Sequence, residues 1–207
     1  MAKHRFILGI DEVGRGPLAG PITICAVATM VNSKYEARNS KLFRGIKDSK
    51  ALSVKKREEW FKVLRRHSRE NRLFYATSSV SHSVIDKIGI ARATHLAIRR
   101  SLRKIALLDS RFLIHNSRIL LDGGLRAPQE YKNQQTIIGG DRRMPIIAAA
   151  SIMAKVTRDR RMVRLAKVYP KYGFDIHKGY GTRAHEKALR KYGLCDIHRR
   201  SFCGKFI

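Results

Sequence analysis

Short apolar runs that stop at an acidic residue constrain this chain more than any other feature. FILGID (6–11), RILLD (118–122) and TIIGGD (136–141) have the composition of buried strands, and each ends in an acid. PITICAVATMV (21–31) predicts a strand that folds back on the first across the Gly- and Pro-rich stretch VGRGPLAG, as a hairpin with a wide loop. RLFYATSSV (72–80) has strand composition as well. Helices are predicted from Ser53, as cap, to about Arg69, and from Val84 to Ala106, with Ile88, Ala91, His95, Ile98 and Leu102 on one stripe. Two more are expected from Pro145 to about Val168 and from His185 to Tyr192, while 31–49 reads as an irregular basic loop. Strands first and helices unevenly after them predict an α/β fold, a mixed sheet flanked by helices. We expect one domain over 1–207, its last part, from about 170, a small helical C-terminal extension.

The partner is constrained by charge. Lys and Arg number 44 against 16 Asp and Glu, a formal net charge of +28. Such a field recruits a polyanion, and nucleic acid is the commonest, because each neutralised phosphate releases condensed counterions. A membrane is not expected: PIIAAASIMA (145–154) is too short to span one, and the apolar N-terminal stretch reaches Asp11 and Glu12 too soon for a signal peptide. Cys25, Cys195 and Cys203 form no C-x-x-C pair, which suits a reducing compartment and a cytoplasmic location. Cys195, His198 and Cys203 raise a zinc question, but no fourth ligand is evident and a packed C-terminal tail explains them as well.

The acids carry the chemistry. Asp11 and Glu12 precede Gly14 and Gly16, Asp122 precedes Gly123 and Gly124, and Asp141 follows Gly139 and Gly140. Turn-forming Asp and Gly explain each site singly. Together, in a chain so poor in acids, they point to carboxylates that a ligand approaches closely. Bare carboxylates repel phosphate; Mg²⁺ or Mn²⁺, the ions that oxygen donors select, reverse that. Two such ions roughly 3.5–4 Å apart suit phosphodiester hydrolysis. Successive strand residues face opposite ways, so for Asp11 and Glu12 to share a site the strand is expected to end there.

These residues sit in an ordered set of motifs. GIDEVGRGPLAGP (9–21), DSKAL (48–52), LLDGG (120–124), GGDRRMP (139–145), AAASIMAKVTRDR (148–160), HKGYGT (177–182) and the HRRSF ending together resemble ribonuclease HII, the type 2 ribonuclease H family. The resemblance implies a ribonuclease H-like fold and endonucleolytic cleavage of the RNA strand of RNA–DNA hybrids. It also implies cutting at single ribonucleotides in duplex DNA, leaving 3′-hydroxyl and 5′-phosphate ends. It implies metal binding by Asp11, Glu12, Asp122 and Asp141, reading of the ribose 2′-hydroxyl by Gly14, Arg15 and Gly16, and packing of Tyr180 on the neighbouring sugar. Glycines admit backbone groups to the 2′-hydroxyl, and Arg15 can fork onto the adjacent phosphate. Lys50 and Lys155 are the phosphate-binding candidates. Ser151, a further substrate-binding candidate, shares one helix face with Lys155 and Asp159, Asp159 being either a partner that orients Lys155 or an ordinary i, i+4 ion pair. One departure is Gly181, where the family often has proline, which predicts a looser loop. The expected cofactor is Mn²⁺ or Mg²⁺, and the expected state a monomer.

Three alternatives stay in view. A non-catalytic RNA-binding protein suits the charge but has no need of four acids at glycine turns. A DNA-cutting nuclease of the same fold has no need of the Gly-Arg-Gly loop or Tyr180. A metal-free ribonuclease needs an acid/base pair of histidines, and none stands out.

Overall fold

The computed structural model describes residues 5–31, 41–46, 51–109 and 117–206. Strand β1 (Arg5–Val13) pairs on both edges. On one edge β2 (Ile22–Val31) runs antiparallel, with Val13 opposite Thr23, so residues 14–21 make the wide hairpin loop. On the other edge β4 (Arg118–Asp122) runs parallel to β1. With β3 (Phe74–Val80) outside β2 and β5 (Gln134–Ile137) outside β4, the order is β3-β2-β1-β4-β5, a mixed sheet.

The alternation of β1 builds two cores. Leu8 and Ile10 join Ile24 and Ala26 of β2 under helix α2 (His82–Ala106), which supplies Ala93, Ala97, Ile98 and Leu102. Ile7 joins Cys25, Val27 and Leu120 on the opposite face. There they meet Phe61 and Leu64 of α1 (Val54–Arg69) and the apolar start of α4 (Pro145–Val168). Each such Leu or Ile contributes roughly 1.5–3 kcal/mol by leaving water. Helix α4 comes so near the sheet that a Cβ on Gly9 would lie 2.4 Å from the Ile146 carbonyl oxygen. Helix starts follow the sequence chemistry: the Ser53 hydroxyl accepts the Lys56 amide at 3.2 Å, and Pro145 opens α4.

Three expectations need correction, and a fourth falls on residues not described. β1 does not end at Asp11 but runs to Val13, because β2 keeps pairing with it. The fourth and fifth strands do not both end buried in an acid. β5 stops at Ile137, its middle residues are exposed, and Asp141 lies in a short helix, α3 (Gly140–Arg143), since Gly139 takes a left-handed turn (φ 63°). In α2, Ile98 and Leu102 are buried as predicted, yet Ala91 and His95 are exposed. Gly89 (φ 79°, ψ 157°) interrupts the helix and resets its phase, moving the buried stripe onto Ala93, Ala97 and Ser101. Lys50, with most of the predicted 31–49 loop, lies outside the described residues.

Beyond α4, helices α5 (Phe174–His177) and α6 (Arg183–Tyr192) gather a third cluster, with Met162, Tyr172, Phe174, Leu189 and Ile197 packed on Ala19 of the hairpin loop. Backbone bonds stitch this segment to the loop: Leu18 N donates to Gly179 O at 2.8 Å, Gly20 N to Ile197 O at 2.9 Å, and Arg199 N to Leu18 O at 2.8 Å. Asp86 of α2 accepts the Arg200 and Ser201 amides, fixing the tail from the other side. No described helix is long and apolar enough to cross a membrane.

Candidate active site

The pairing of β1 with β4 ends at Ile10 opposite Leu121, leaving a gap past that point. A cleft of about 400 Å³ opens there. Asp11, Glu12 and Asp122 line it together with Gly14, Arg15, Gly16, Arg57, Ser151, Lys155 and Tyr180. Asp11 and Glu12 thus reach one cleft from a continuous strand, because β1 has lost its neighbour on that side.

Asp141 does not line the cleft. It is buried one layer back, and its amide faces Asp122 Oδ1 at 3.4 Å, the same oxygen that accepts the Gly140 amide at 2.6 Å. Asp122 therefore ties the end of β4 to the first turn of α3. A Cβ on Gly140 would lie 3.2 Å from that oxygen, so the glycine admits the contact.

The carboxyls strain against one another. Burial, opposed by a Ser151 hydrogen bond and reinforced by the charges of Glu12 and Asp122, holds Asp11 well above the usual carboxylate range. Glu12 is raised by burial and by Asp122, and Arg15 opposes the rise. A hard divalent cation among these oxygen donors would relieve both, so the donor set fits Mg²⁺ or Mn²⁺. Among the described residues no three His, Cys, Asp or Glu side chains already close around one point.

On the far wall, Lys155 Nζ donates to Asp159 Oδ1 at 3.1 Å and lies 5.7 Å from the centre of the Tyr180 ring. The i, i+4 ion pair between Asp159 and this cleft-lining lysine is therefore formed. Tyr180 is 38% exposed, its ring also flanked by Arg158 at 5.7 Å. Gly181 packs against Leu18, and the Thr182 amide returns to Tyr180 O at 2.8 Å.

Three arginines of this region were not singled out from sequence. Arg57 lines the cleft and donates to Leu52 O at 2.5 Å. Arg158 and Arg199 are fully buried, and among the described residues no carboxylate accepts from either. Arg158 donates to the carbonyls of Pro21, Lys178 and Ala19 at 2.9, 3.0 and 3.2 Å. Arg199 donates to those of Gly20, Arg15 and Gly14 at 2.9, 2.9 and 2.6 Å. Gly14 (φ 88°) has to be glycine, since a Cβ would lie 2.2 Å from Arg158 Nε. The one signal for Arg199 was its place in the HRRSF ending.

Beneath Tyr180 sits a histidine relay. The Cys195 amide donates to His198 Nδ1 at 2.9 Å, the two Nε2 atoms of His198 and His185 are 3.0 Å apart, and His185 Nδ1 faces Tyr180 O at 2.9 Å. A carbonyl only accepts, so His185 carries its proton on Nδ1 and His198 on Nε2, an assignment made from the partners. Cys203 instead faces Leu18 O at 3.7 Å, so the three residues that raised the zinc question do not converge. Burial pushes His185 and His198 down to about 4. Below the unfolded-state value of about 6.5 the unfolded chain binds the proton first. The relay therefore contributes its full stability above that pH and loses it as pH falls toward 4. Imidazole ¹³C titration should show neither ring protonating above pH 5; titration of either near 6.5 refutes the assignment.

The family model described as ribonuclease HII matches residues 8–205. The chain belongs to that family. A ribonuclease HII from Endomicrobium trichonymphae is 43% identical over 196 residues, covering 95% of this chain and 84% of the relative. The ribonuclease HII of the Archaeoglobus fulgidus complex with PCNA superposes with a TM-score of 0.68 at 25% identity, over 94% of this chain and 93% of that one. Ribonuclease H2 from Pyrococcus horikoshii OT3 gives 0.65 at 26%, over 97% and 96%. The sheet and its flanking helices are thus the ribonuclease H-like fold, and the chain is an endoribonuclease of the class that acts on RNA–DNA hybrids.

Proposed function

We propose that this ribonuclease HII is a metal-dependent endonuclease that cuts the RNA strand of hybrids and also cuts at single ribonucleotides in duplex DNA, leaving 3′-hydroxyl and 5′-phosphate ends. The observation that carries the reading is the meeting, in one cleft, of Asp11, Glu12 and Asp122 with the exposed Arg15 and Gly16 and the ring of Tyr180. A nuclease without regard to the sugar needs only the carboxylates.

Asp11, Glu12 and Asp122 would hold Mg²⁺ or Mn²⁺, with Asp141 completing the set through its neighbour Asp122. The cation, when bound, supplies positive charge for the scissile phosphate and for the attacking water. The chain's own residues do the rest. Lys155 meets a backbone phosphate, and Ser151 keeps Asp11 oriented. Amides of the 14–16 loop meet the 2′-hydroxyl, Arg15 forks onto the adjacent phosphate, and Tyr180 packs on the next sugar. Lys50 remains a phosphate-binding proposal from its motif. We further propose a cytoplasmic monomer whose 1–207 act as one catalytic unit, which light scattering of the purified chain tests.

End-labelled hybrid, single-ribonucleotide duplex and all-DNA duplex should be compared in Mg²⁺, Mn²⁺ and chelator. Cleavage of the first two alone, abolished by chelator, is the expected result; cutting of all-DNA duplex, or chelator-resistant cutting, defeats the reading. Arg15→Ala and Tyr180→Ala should each lower kcat/KM on the single-ribonucleotide duplex about tenfold more than on the hybrid, the scale of one lost charged or stacking contact. An equal fall on both substrates removes the junction role.

A further inference from the structure

Arg199 is oddly placed for a structural residue. It is fully buried beside a second buried guanidinium, Arg158, which lowers its pKa further after burial has done so, to about 10. It stays charged at neutral pH, and its acceptors are backbone carbonyls. Two of these belong to successive peptides of the cleft-lining loop: Gly14 O at 2.6 Å and Arg15 O at 2.9 Å. In a trans peptide the N–H points opposite to the C=O, and no peptide here is cis. The amides sharing those peptides belong to Arg15 and Gly16. Both must point away from the guanidinium, both residues are exposed and line the cleft, and neither amide has an acceptor among the described residues. A carbonyl that accepts from a cation also makes its own N–H a stronger donor.

We propose that Arg199 is the positioning residue for sugar recognition: from the C-terminal tail it aims and polarises the Arg15 and Gly16 amides as a paired donor for the ribose 2′-oxygen. This rests on the reading above that the 14–16 loop meets the 2′-hydroxyl. Arg199 touches no substrate atom, and its influence passes through two peptide units. Its companion Arg158 holds Ala19, Pro21 and Lys178, and Arg199 joins it at that base through Gly20 O, so of the two Arg199 alone also reaches the cleft side of the loop.

The test compares Arg199→Lys and Arg199→Gln with Asp86→Asn, each in the full chain. Asp86→Asn loosens the same tail by weakening the Asp86 contacts to Arg200 and Ser201, but leaves the guanidinium in place. Anisotropy at one fixed salt concentration, in an Asp11→Asn background with Mg²⁺, gives the preference for a single-ribonucleotide duplex over the all-DNA duplex. Both Arg199 variants should lose about tenfold of that preference, and Asp86→Asn should stay within about twofold of the parent. An Arg199 variant that keeps the preference, or an Asp86→Asn that loses as much, overturns the proposal. Should the Arg199 variants not fold, the otherwise unaltered chain answers: Arg15 and Gly16 amide protons should move downfield with the ribonucleotide duplex and not with all-DNA. Amides that move while the Arg199 guanidinium protons, bonded to the same two peptides, do not respond refute the proposal, and amides that do not move defeat the loop reading beneath it. A parent protein with no preference between the duplexes defeats the underlying reading instead, a result distinct from a preference that survives loss of Arg199.

Discussion

Asp11→Asn and Asp122→Asn should leave a protein that binds duplexes and no longer cuts them. Asparagine keeps the shape of each side chain and removes the anionic oxygen that a hard cation requires. One charge in a net of +28 scarcely alters attraction to phosphate. The loss corresponds to several kcal/mol of transition-state stabilisation, so single-turnover rates should fall at least about a thousandfold while anisotropy on the same duplex moves less than about threefold. Rates within tenfold of the parent would dismiss the cluster as the metal site. A second readout is independent of catalysis. Asp11 is held above its unfolded pKa, so its ionisation opposes folding progressively as pH rises past the unfolded value of about 4. In chelator at pH 7, Asp11→Asn should therefore melt higher than the parent, and added Mg²⁺ should narrow that gap by stabilising the parent alone. A variant that melts lower in chelator would contradict the assigned burden on Asp11.

Gly9→Val should be the most damaging single change to folding. The Cβ of any residue there would lie 2.4 Å from Ile146 O, 2.5 Å from Ile146 C and 2.8 Å from Ile147 N. All three are backbone atoms of the first turn of α4, so no side chain can swing aside. The helix would have to lift off β1, taking with it the apolar contacts around Ile146, Ile147 and Ala150. We expect about 4 kcal/mol or more of destabilisation, and a midpoint lowered by roughly 10 °C in thermal unfolding. Gly16→Ala is the contrasting case. Nothing lies within 4 Å of its would-be Cβ, so the melting midpoint should hold while sugar preference suffers. Equal melting of the Gly9 variant and the parent would mean that α4 does not pack as described.

Much of this was legible beforehand because it depends on local chemistry. The apolar strand run at 6–11, the Ser53 cap and the Pro145 start are properties of a few adjacent residues, and the structure reproduces them. The motifs around Asp11, Glu12 and Asp122 were equally readable, for glycine next to an acid is rare enough to notice in a chain with 16 acids. Where reading failed, distance or backbone conformation decided. Asp141 was assigned to a strand end because TIIGGD looks apolar to its last residue, whereas the positive φ of Gly139 had already turned the chain into α3. Gly89 broke the phase of α2 in the same way. Arg158 and Arg199 were invisible for a different reason. Among 44 basic residues nothing local marks these two, whose acceptors include carbonyls 137 and 139 positions away for Arg158 and up to 185 for Arg199.

That last separation has a bearing on synthesis. A ribosome delivers Gly14 185 residues before Arg199, so the 14–16 loop stays unpinned by that guanidinium through all the synthesis between them. The acids of β1 are likewise waiting for β4 and for the helix that covers Gly9. The cleft that all these parts line is therefore finished only after Arg199 has emerged, long after the acids of β1 have been made.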